Sequence, residues 1–267
     1  MILKTILFTL CATFFVSPTW AQKWVSDTYL QARIISPYEG LSNQVTQKLG
    51  IEIQLAPGWY TYWRSPGDIG LPPKLSLFES KNVDNFKLLY PKPERHEFAG
   101  FQNYVYKQDI ILPFELSIKD LNKPAHLLLN ASFMVCSDIC IPQELKLPLK
   151  LNIQDLTETE KAPLIKKAFD ALPQNTMKGI EITKSFIEGN ELKIDLSNKE
   201  SQSVKDVFLD FGSIFISSDK PKINDSNTQI IFDDLDEDNI SNAHEASGYI
   251  LIVFENNTAL GTEITIE

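Results

Sequence analysis

Residues 126–153 read HLLLNASFMVCSDICIPQELKLPLKLNI, and this stretch decides the fold. Residues 126–135 are mostly apolar over a length typical of a buried strand. From Leu145 to Leu151 every second residue is leucine, so these side chains share one face of a second strand. Ser137 and Asp138 are turn-forming residues and lie between the two runs. The stretch therefore predicts two strands joined by a tight turn that begins and ends near a cysteine.

The spacing of Cys136 and Cys140 requires the chain to bend between them. Residues four apart in one extended strand are separated by roughly 13 Å, whereas a disulfide needs Cα atoms about 4.4–6.8 Å apart. A hairpin with a three-residue loop brings cross-strand neighbours close enough, and one turn of helix would also serve. The apolar, strand-like flanks favour the hairpin. A bridge that closes so short a loop stabilises a fold little, which favours a redox role over a structural bridge, although the latter remains an alternative.

The rest of the chain also reads as strands separated by proline-rich turns. The predicted strands of the first region, residues 22–155, are 45–55, 104–118, 126–135 and 141–153. Short strands without long helical periods predict an all-β protein with a β-sandwich.

A change of pattern at residue 156 predicts two further parts. Residues 156–176 form a linker, in which Thr157 and Glu160 resemble a capping box and residues 162–172 form a short helix. Residues 177–267 form a second, smaller β-sandwich-like domain, and the acidic run 233–237 within it is expected to be a solvated loop. The predicted strands of this domain are 180–187, 191–196, 204–216, 229–232, 249–254 and 262–266.

Charge and the N-terminal residues limit where the protein acts. The formal net charge of −10 disfavours binding to nucleic acid or to anionic lipid. Residues 1–21 carry Lys4, a short apolar segment and small residues at positions 19 and 21, a pattern typical of a secretory signal peptide cleaved near Ala21. Cleavage would remove Cys11 and leave two cysteines in an oxidising, periplasmic compartment. The mature chain has no other apolar segment long enough to span a membrane.

Other catalytic motifs are absent from the sequence. It contains no Gly-x-Ser-x-Gly, no His-Glu-x-x-His and no phosphate-binding glycine loop. Without a Cys-x-x-Cys in a βαβ context, a thioredoxin fold is also disfavoured.

Three motifs in order give the sequence a family resemblance. They are GWYTYWRSPGDIGLPP at 58–73, PKPERHEFAGFQNYVY at 91–106 and VCSDICIPQE at 135–144. Together they resemble the amino-terminal periplasmic domain of the DsbD and ScsB thiol:disulfide interchange proteins. The C-x-x-x-C-I-P form is closest to the ScsB-like branch, which is associated with copper tolerance. Residues 177–267 resemble, less specifically, the second β-domain of ScsB-like proteins.

The resemblance implies a fold, a site and an activity. The fold would be immunoglobulin-like, and the activity would be thiol-disulfide oxidoreduction of the protein-disulfide reductase type, without a cofactor or metal. Cys140 would form the mixed disulfide with a partner protein, and Cys136 would resolve it. A cap loop would shield the pair, and two aromatic residues would lie near it. The cap residues are His96, Glu97, Phe98 and Gly100, and the aromatic residues are Tyr60 and Tyr62.

The expected partners follow from the same resemblance. A membrane-embedded thiol reductase would reduce the pair, and periplasmic thioredoxin-like proteins would receive the electrons. The family's membrane domain and thioredoxin-like domain are not found in this sequence, so the reductase is expected to be a separate protein.

Two other functions use the same residues or the same fold. Two thiolates suit Cu(I), with Met134 or His96 as a third ligand, so a copper-tolerance module is an alternative. A non-enzymatic adaptor would use the sandwich only for docking.

Overall fold

The computed structural model describes residues 22–153 and 155–267. The predicted signal peptide, residues 1–21, lies outside the described residues. Strands dominate the described part of the chain and its two helices are short, so the prediction of an all-β protein is confirmed.

The first eleven strands form two antiparallel sheets packed face to face, the predicted immunoglobulin-like sandwich. Their bounds are Val25–Ser26 (β1), Leu30–Ile35 (β2), Thr46–Leu55 (β3), Tyr60–Gly67 (β4), Lys74–Leu77 (β5), Val83–Leu88 (β6), Glu94–Phe98 (β7), Phe101–Tyr106 (β8), Ile110–Ile118 (β9), Ala125–Cys136 (β10) and Cys140–Leu151 (β11). One sheet has the order β1-β2-β3-β9-β6, and the other has the order β11-β10-β4-β8-β7, with β5 also paired to β10.

The β10–β11 hairpin is paired without a break from Ala125↔Leu151 to Cys136↔Cys140. Its alternation of side chains follows the sequence pattern, because Leu127, Leu129, Phe133 and Leu147 are all buried in the core between the two sheets. The opposite face of β11 is exposed. Burial of one face fixes the register, since a slip by one residue would turn the leucines to solvent.

The predicted strand over residues 104–118 is wrong in one respect, because the chain forms two strands there. β8 pairs with β4 in one sheet and β9 pairs with β3 in the other. The exposed residues 107–109 turn the chain from one sheet to the other, and Asp109 accepts a hydrogen bond from the Leu55 amide at 3.2 Å. Both strands are largely apolar, so the sequence does not show that the chain passes from one sheet to the other between them.

The predicted helix is present as α1, Ala162–Asp170, but the predicted capping box is wrong. The N-cap residue is Lys161 and no side chain caps the helix. Proline in the first turn lacks the amide hydrogen that a cap would satisfy, and its fixed φ angle favours a helix start. The helix packs against β9 and β3 of the first sandwich.

Two smaller antiparallel sheets follow α1. Their strands are Ile180–Glu188 (β12), Glu191–Asn198 (β13), Val204–Asp210 (β14), Lys222–Ile223 (β15), Gln229–Phe232 (β16), Ser247–Phe254 (β17) and Ala259–Thr265 (β18). The orders are β12-β13-β16-β15 and β14-β17-β18. Their apolar faces form a second hydrophobic core. We refer to residues 177–267 as the C-terminal segment.

Two predictions for the C-terminal segment need correction. The strand predicted over 204–216 ends at Asp210, because Gly212 adopts a positive φ of 67° and turns the chain. The acidic run 233–237 is not only a solvated loop. Leu235 is buried, and Asp236 is the N-cap of a second helix, α2, Glu237–Ala243, where its carboxylate accepts a hydrogen bond from the Asn239 amide at 2.7 Å.

Neither helix of the described residues has the length and apolar composition that a membrane-spanning helix requires.

The hairpin core should be sensitive to truncation of its leucines. Leu147 is fully buried, so Leu147→Ala should lower the free energy of unfolding by about 2–5 kcal/mol through lost transfer energy and a residual cavity. Glu144 is exposed on the same strand, and Glu144→Ala should change it by less than about 0.5 kcal/mol. Urea unfolding of both variants measures the difference. Equal losses would contradict the assigned register.

Candidate redox site

Cys136 and Cys140 form a disulfide at the end of the β10–β11 hairpin. Cys136 is the last residue of β10, Cys140 is the first residue of β11, and their Cα atoms lie 4.1 Å apart. The Ser137 amide donates a hydrogen bond of 3.0 Å to the Ile139 carbonyl and tightens the intervening turn. The predicted hairpin is confirmed, and the alternative of one helical turn is wrong.

The two cysteines differ in their access to solvent. Cys136 is fully buried (0% exposed), whereas Cys140 is exposed and follows Ile139, whose exposure is 59%. The sheet order explains the difference, because β10 lies between β4 and β11 while β11 is an edge strand. Cys140 is therefore the residue of the pair that faces solvent, and Cys136 is enclosed by the protein.

Cys136 belongs to a small apolar cluster on the face of β10 that points away from the main core. The cluster contains Tyr60, Tyr62 and Val105, with Met134 packed against it. Strand alternation puts Met134 and Cys136 on one face of β10 and the two tyrosines on one face of β4. A hydrogen bond from the Thr61 hydroxyl to the Met134 carbonyl, 2.9 Å, joins these strands beside the disulfide.

Tyr62 contacts both sulfur atoms. Its hydroxyl lies 3.1 Å from Sγ of Cys136 and 3.8 Å from Sγ of Cys140. Because a disulfide sulfur carries no hydrogen, the tyrosine O–H is the donor. Burial raises the pKa of Tyr62 well above its usual value, so the hydroxyl keeps its proton and remains a donor at neutral pH.

A glycine in the loop after β4 makes room for Tyr62. Gly70 has a φ of +105°, and a Cβ at this position would lie 2.2 Å from ring carbon Cζ of Tyr62. Any larger residue would displace the ring from the sulfurs. The sequence alone predicts only a turn at Gly70, because nothing in its neighbours shows that an aromatic ring lies against it.

Tyr60 is buried next to Tyr62, and their rings meet edge to face at 5.7 Å. Its hydroxyl is buried without a hydrogen-bond partner among the described residues. The His96 ring packs edge-on against Tyr60 at 4.6 Å. Burial, together with the nearby Lys107, lowers the pKa of His96, so the imidazole is neutral at pH 7.

The predicted cap loop is a β-hairpin. His96, Glu97 and Phe98 belong to β7, which pairs with β8, and the turn contains Ala99 and Gly100, both with positive φ. Such a two-residue turn matches the right-handed twist of the strands. We call β7, β8 and this turn the cap hairpin.

The cap residues lie at different distances from the disulfide. Phe98 is half-buried and lines a groove with Tyr60, Ser137 and Asp138, beside the cysteine turn. Glu97 is exposed and its carboxylate accepts a hydrogen bond from Gln102 at 3.4 Å. The cap hairpin therefore packs against Tyr60 and borders the turn, while Cys140 stays exposed.

Among residues 22–153 and 155–267, no cluster of three or more His, Cys, Asp or Glu side chains could hold a metal ion.

The part of the chain that contains this site matches a known protein family. Residues 30–151 match the family model of the N-terminal domain of thiol:disulfide interchange protein DsbD. These residues form a DsbD-type N-terminal domain. The hairpin with its cysteine pair and both tyrosines lie inside the matched range, so the DsbD-type domain is a thiol:disulfide interchange domain.

A solved structure of high overall similarity shares this fold. The N-terminal periplasmic domain of ScsB from Proteus mirabilis is 20% identical and covers 92% of this chain and 97% of its own length, with a TM-score of 0.71. This likeness extends over both the DsbD-type domain and most of the C-terminal segment. The reduced N-terminal domain of DsbD from Neisseria meningitidis is 11% identical and covers 45% of this chain and 85% of its own, with a TM-score of 0.29. Among curated protein sequences, none matches this chain significantly.

The Tyr62 hydroxyl should speed reduction of the disulfide in the DsbD-type domain. When an external thiolate attacks Cys140, negative charge develops on the Cys136 sulfur, and a hydrogen bond to a charged group contributes about 1.5–3 kcal/mol. Tyr62→Phe should therefore slow reduction by dithiothreitol about tenfold or more.

Tyr60→Phe is the matched control, because the Tyr60 hydroxyl bonds to neither sulfur, and it should change the rate much less. Stopped-flow measurement of both variants decides the matter. Equal rates for Tyr62→Phe and the native protein would show that the hydroxyl does not assist the leaving sulfur.

Proposed function

We propose that this protein is a periplasmic thiol:disulfide interchange protein that passes reducing equivalents from a membrane-embedded thiol reductase to thioredoxin-like proteins. The observation that carries the proposal is the asymmetric pair, in which Cys140 is exposed and Cys136 is buried under Tyr62. An exposed sulfur can form a mixed disulfide, and a buried one beside it can resolve that disulfide without reacting with other proteins.

The reductive half of the cycle begins at Cys140. A thiolate of the reductase attacks the Cys140 sulfur, a new S–S bond forms between the proteins, and the Cys136–Cys140 bond breaks. Its electron pair stays on Cys136 as a thiolate, to which Tyr62 donates a hydrogen bond. The second thiolate of the reductase then attacks its own sulfur in the mixed disulfide. This step leaves an oxidised reductase and a dithiol in which the thiolates take up protons from water.

The oxidative half reverses these roles. The Cys140 thiolate attacks a disulfide of a thioredoxin-like protein, and one sulfur of that protein leaves as a thiolate. Cys136, after losing its proton, attacks the Cys140 sulfur, re-forms the internal disulfide and releases the second thiolate of the partner. Two electrons leave the pair and reduce one disulfide, so no cofactor is needed.

Export supports this assignment of partners. The predicted signal peptide would deliver the chain to an oxidising compartment, where dithiols need a continuous supply of electrons. We place the redox domain at residues 22–155, the linker at 156–176 and a second β-domain at 177–267. The second hydrophobic core, which contains only residues of 177–267, supports this division, although the first core also includes Phe208, Leu251, Val253 and Ala259.

A Cu(I)-binding role is the second candidate, and the position of Met134 favours it. The Met134 side chain packs against the cluster that contains Cys136, and its soft thioether sulfur is of the kind that Cu(I) prefers beside two thiolates. A Cu(I) titration of the reduced protein, with Met134→Leu for comparison, tests this second function.

Loss of the resolving cysteine should trap the partners. Cys136→Ala leaves the exposed Cys140 able to form a mixed disulfide that nothing in the chain can resolve, so such complexes should accumulate in cells. Cys140→Ala leaves only the buried Cys136 and should trap little. Non-reducing gels followed by identification of the trapped proteins measure both. Complexes with Cys140→Ala alone would reverse the two roles, and none with either variant would favour the copper or adaptor function.

Phe98 should slow oxidation of the reduced pair by small molecules. It forms one wall of the groove beside the cysteine turn, so Phe98→Ala should raise the rate of oxidation by glutathione disulfide, because reactivity follows access. Glu97→Ala is the control, since Glu97 is exposed on the same strand and points to the opposite face. Stopped-flow rates that are equal for Phe98→Ala and the native protein would show that Phe98 does not shield the pair.

A further inference from the structure

Arg95 links the cap hairpin to the C-terminal segment. Strand alternation places it on the face of β7 opposite His96 and Phe98. Its Nε lies 2.8 and 2.9 Å from the two carboxylate oxygens of Asp206, and only 13% of its side chain is exposed.

The remaining nitrogens of the guanidinium are also used. Nη2 donates to the Val207 carbonyl at 2.7 Å, and Nη1 donates to the Ser218 carbonyl. Arg95 thus binds three residues of the C-terminal segment from one position in the cap hairpin.

Aromatic rings enclose this guanidinium. Tyr104 is the cross-strand partner of Arg95 in β8, and Phe208 comes from β14. The guanidinium carbon lies 5.2 Å from the centre of each ring, and the two rings meet edge to face at 4.9 Å. Both strands of the cap hairpin are therefore held against β14, and the charge is screened from water by apolar atoms.

The same part of the C-terminal segment also holds the loop over Tyr62. The Ser218 hydroxyl donates to the Asp68 carboxylate, and the other oxygen of Asp68 accepts from the Gln102 amide in β8 at 2.7 Å. Asp68 lies two residues before Gly70, which contacts the Tyr62 ring. Ser218 is thus joined to the cap hairpin through Arg95 and to the Gly70 loop through Asp68.

We propose that the C-terminal segment sets the reactivity of the cysteine pair by anchoring the cap hairpin, and that Arg95 is the positioning residue of this anchor. His96 and Phe98 face the redox cluster from one side of β7, while Arg95 holds the other side. Release of the anchor lets β7 move away from Tyr60 and opens the groove beside the cysteine turn. A partner that draws Asp206 away from Arg95 would therefore change access to the disulfide. This inference rests on the proposed function and names its regulation.

The test compares two ion pairs that join the same two parts of the chain. Arg95→Met removes the anchor and keeps an apolar side chain between the rings. Arg64→Met is the matched control, because the Arg64 side chain pairs with Asp210 at 2.5 Å and lies over the Tyr249 ring at 4.5 Å, and both of these partners belong to the C-terminal segment. Asp206→Asn is a second anchor variant that keeps the shape of the side chain and removes its charge.

Two readouts are measured in the full chain. The first is the rate at which glutathione disulfide oxidises the reduced pair, and the second is hydrogen exchange of the amides in residues 94–106. We expect at least a threefold rise in both for Arg95→Met and a smaller rise in the same direction for Asp206→Asn. Arg64→Met should match the native protein in both readouts.

Three outcomes would overturn the proposal. In the first, the amides of the anchor variants exchange hydrogen faster only within residues 177–267, and the oxidation rate stays native. That result would show that Arg95 only joins the two parts of the chain. Equal effects of Arg64→Met and Arg95→Met would show that general loosening is responsible. If Arg95→Met does not fold, a native oxidation rate in a folded Asp206→Asn variant would also overturn it.

These results are separate from a failure of the proposed function. Small reagents report on access to the pair whether or not a thioredoxin-like protein is its partner. If the native pair reacts with glutathione disulfide but not with thioredoxin-like proteins, the proposed function is refuted. The effect of Arg95 on access to the pair is still measured by the oxidation rates of the variants.

Discussion

The register of the β10–β11 hairpin is the constraint on which the rest of the site depends. Pairing of Cys136 with Cys140 follows from the same alignment that buries the leucines of both strands. A slip by one residue would expose those leucines and separate the sulfurs, so the hydrophobic core itself keeps the cysteines in bonding distance. The disulfide does not have to hold the hairpin together. It can break and re-form while the core fixes the positions of both residues.

The position of each strand in the sheet then gives the two cysteines different exposure to solvent. β10 has neighbours on both sides, and its outer face at Cys136 is covered by Tyr60 and Tyr62, whereas Cys140 begins an edge strand. Two identical residues thus become a buried and an exposed cysteine without any special local sequence. Tyr62 adds a donor to the buried one, and its raised pKa keeps that donor protonated when charge develops nearby.

Long-range pairing limited what the sequence could predict. The apolar run before Cys136, the turn residues and the alternating leucines after Cys140 were sufficient to predict the hairpin, because the pattern of a strand shows which of its faces is buried. The sandwich was predicted from the short strands and turns along the rest of the chain. The cap residues were identified only through a family resemblance, and as a loop, because Glu94–Phe98 is short and polar and has no alternation of its own. Contacts such as Arg95 with Asp206 join residues 111 positions apart, and no pattern in either neighbourhood indicates the partner.

Burial of the Arg95–Asp206 pair explains how the cap hairpin can be held in one position and still be released. Apolar contacts alone would allow β7 many nearly equivalent positions, whereas a guanidinium with three fixed acceptors allows few. A buried ion pair adds little net stability, because desolvation offsets most of its attraction, but removal of one partner leaves an uncompensated charge. Such a pair therefore specifies a position more than it stabilises the fold. The ion pair thus fixes the position of the hairpin while it adds little to the stability of the fold. A docking protein that offers Arg95 another hydrogen-bond acceptor can therefore shift the hairpin.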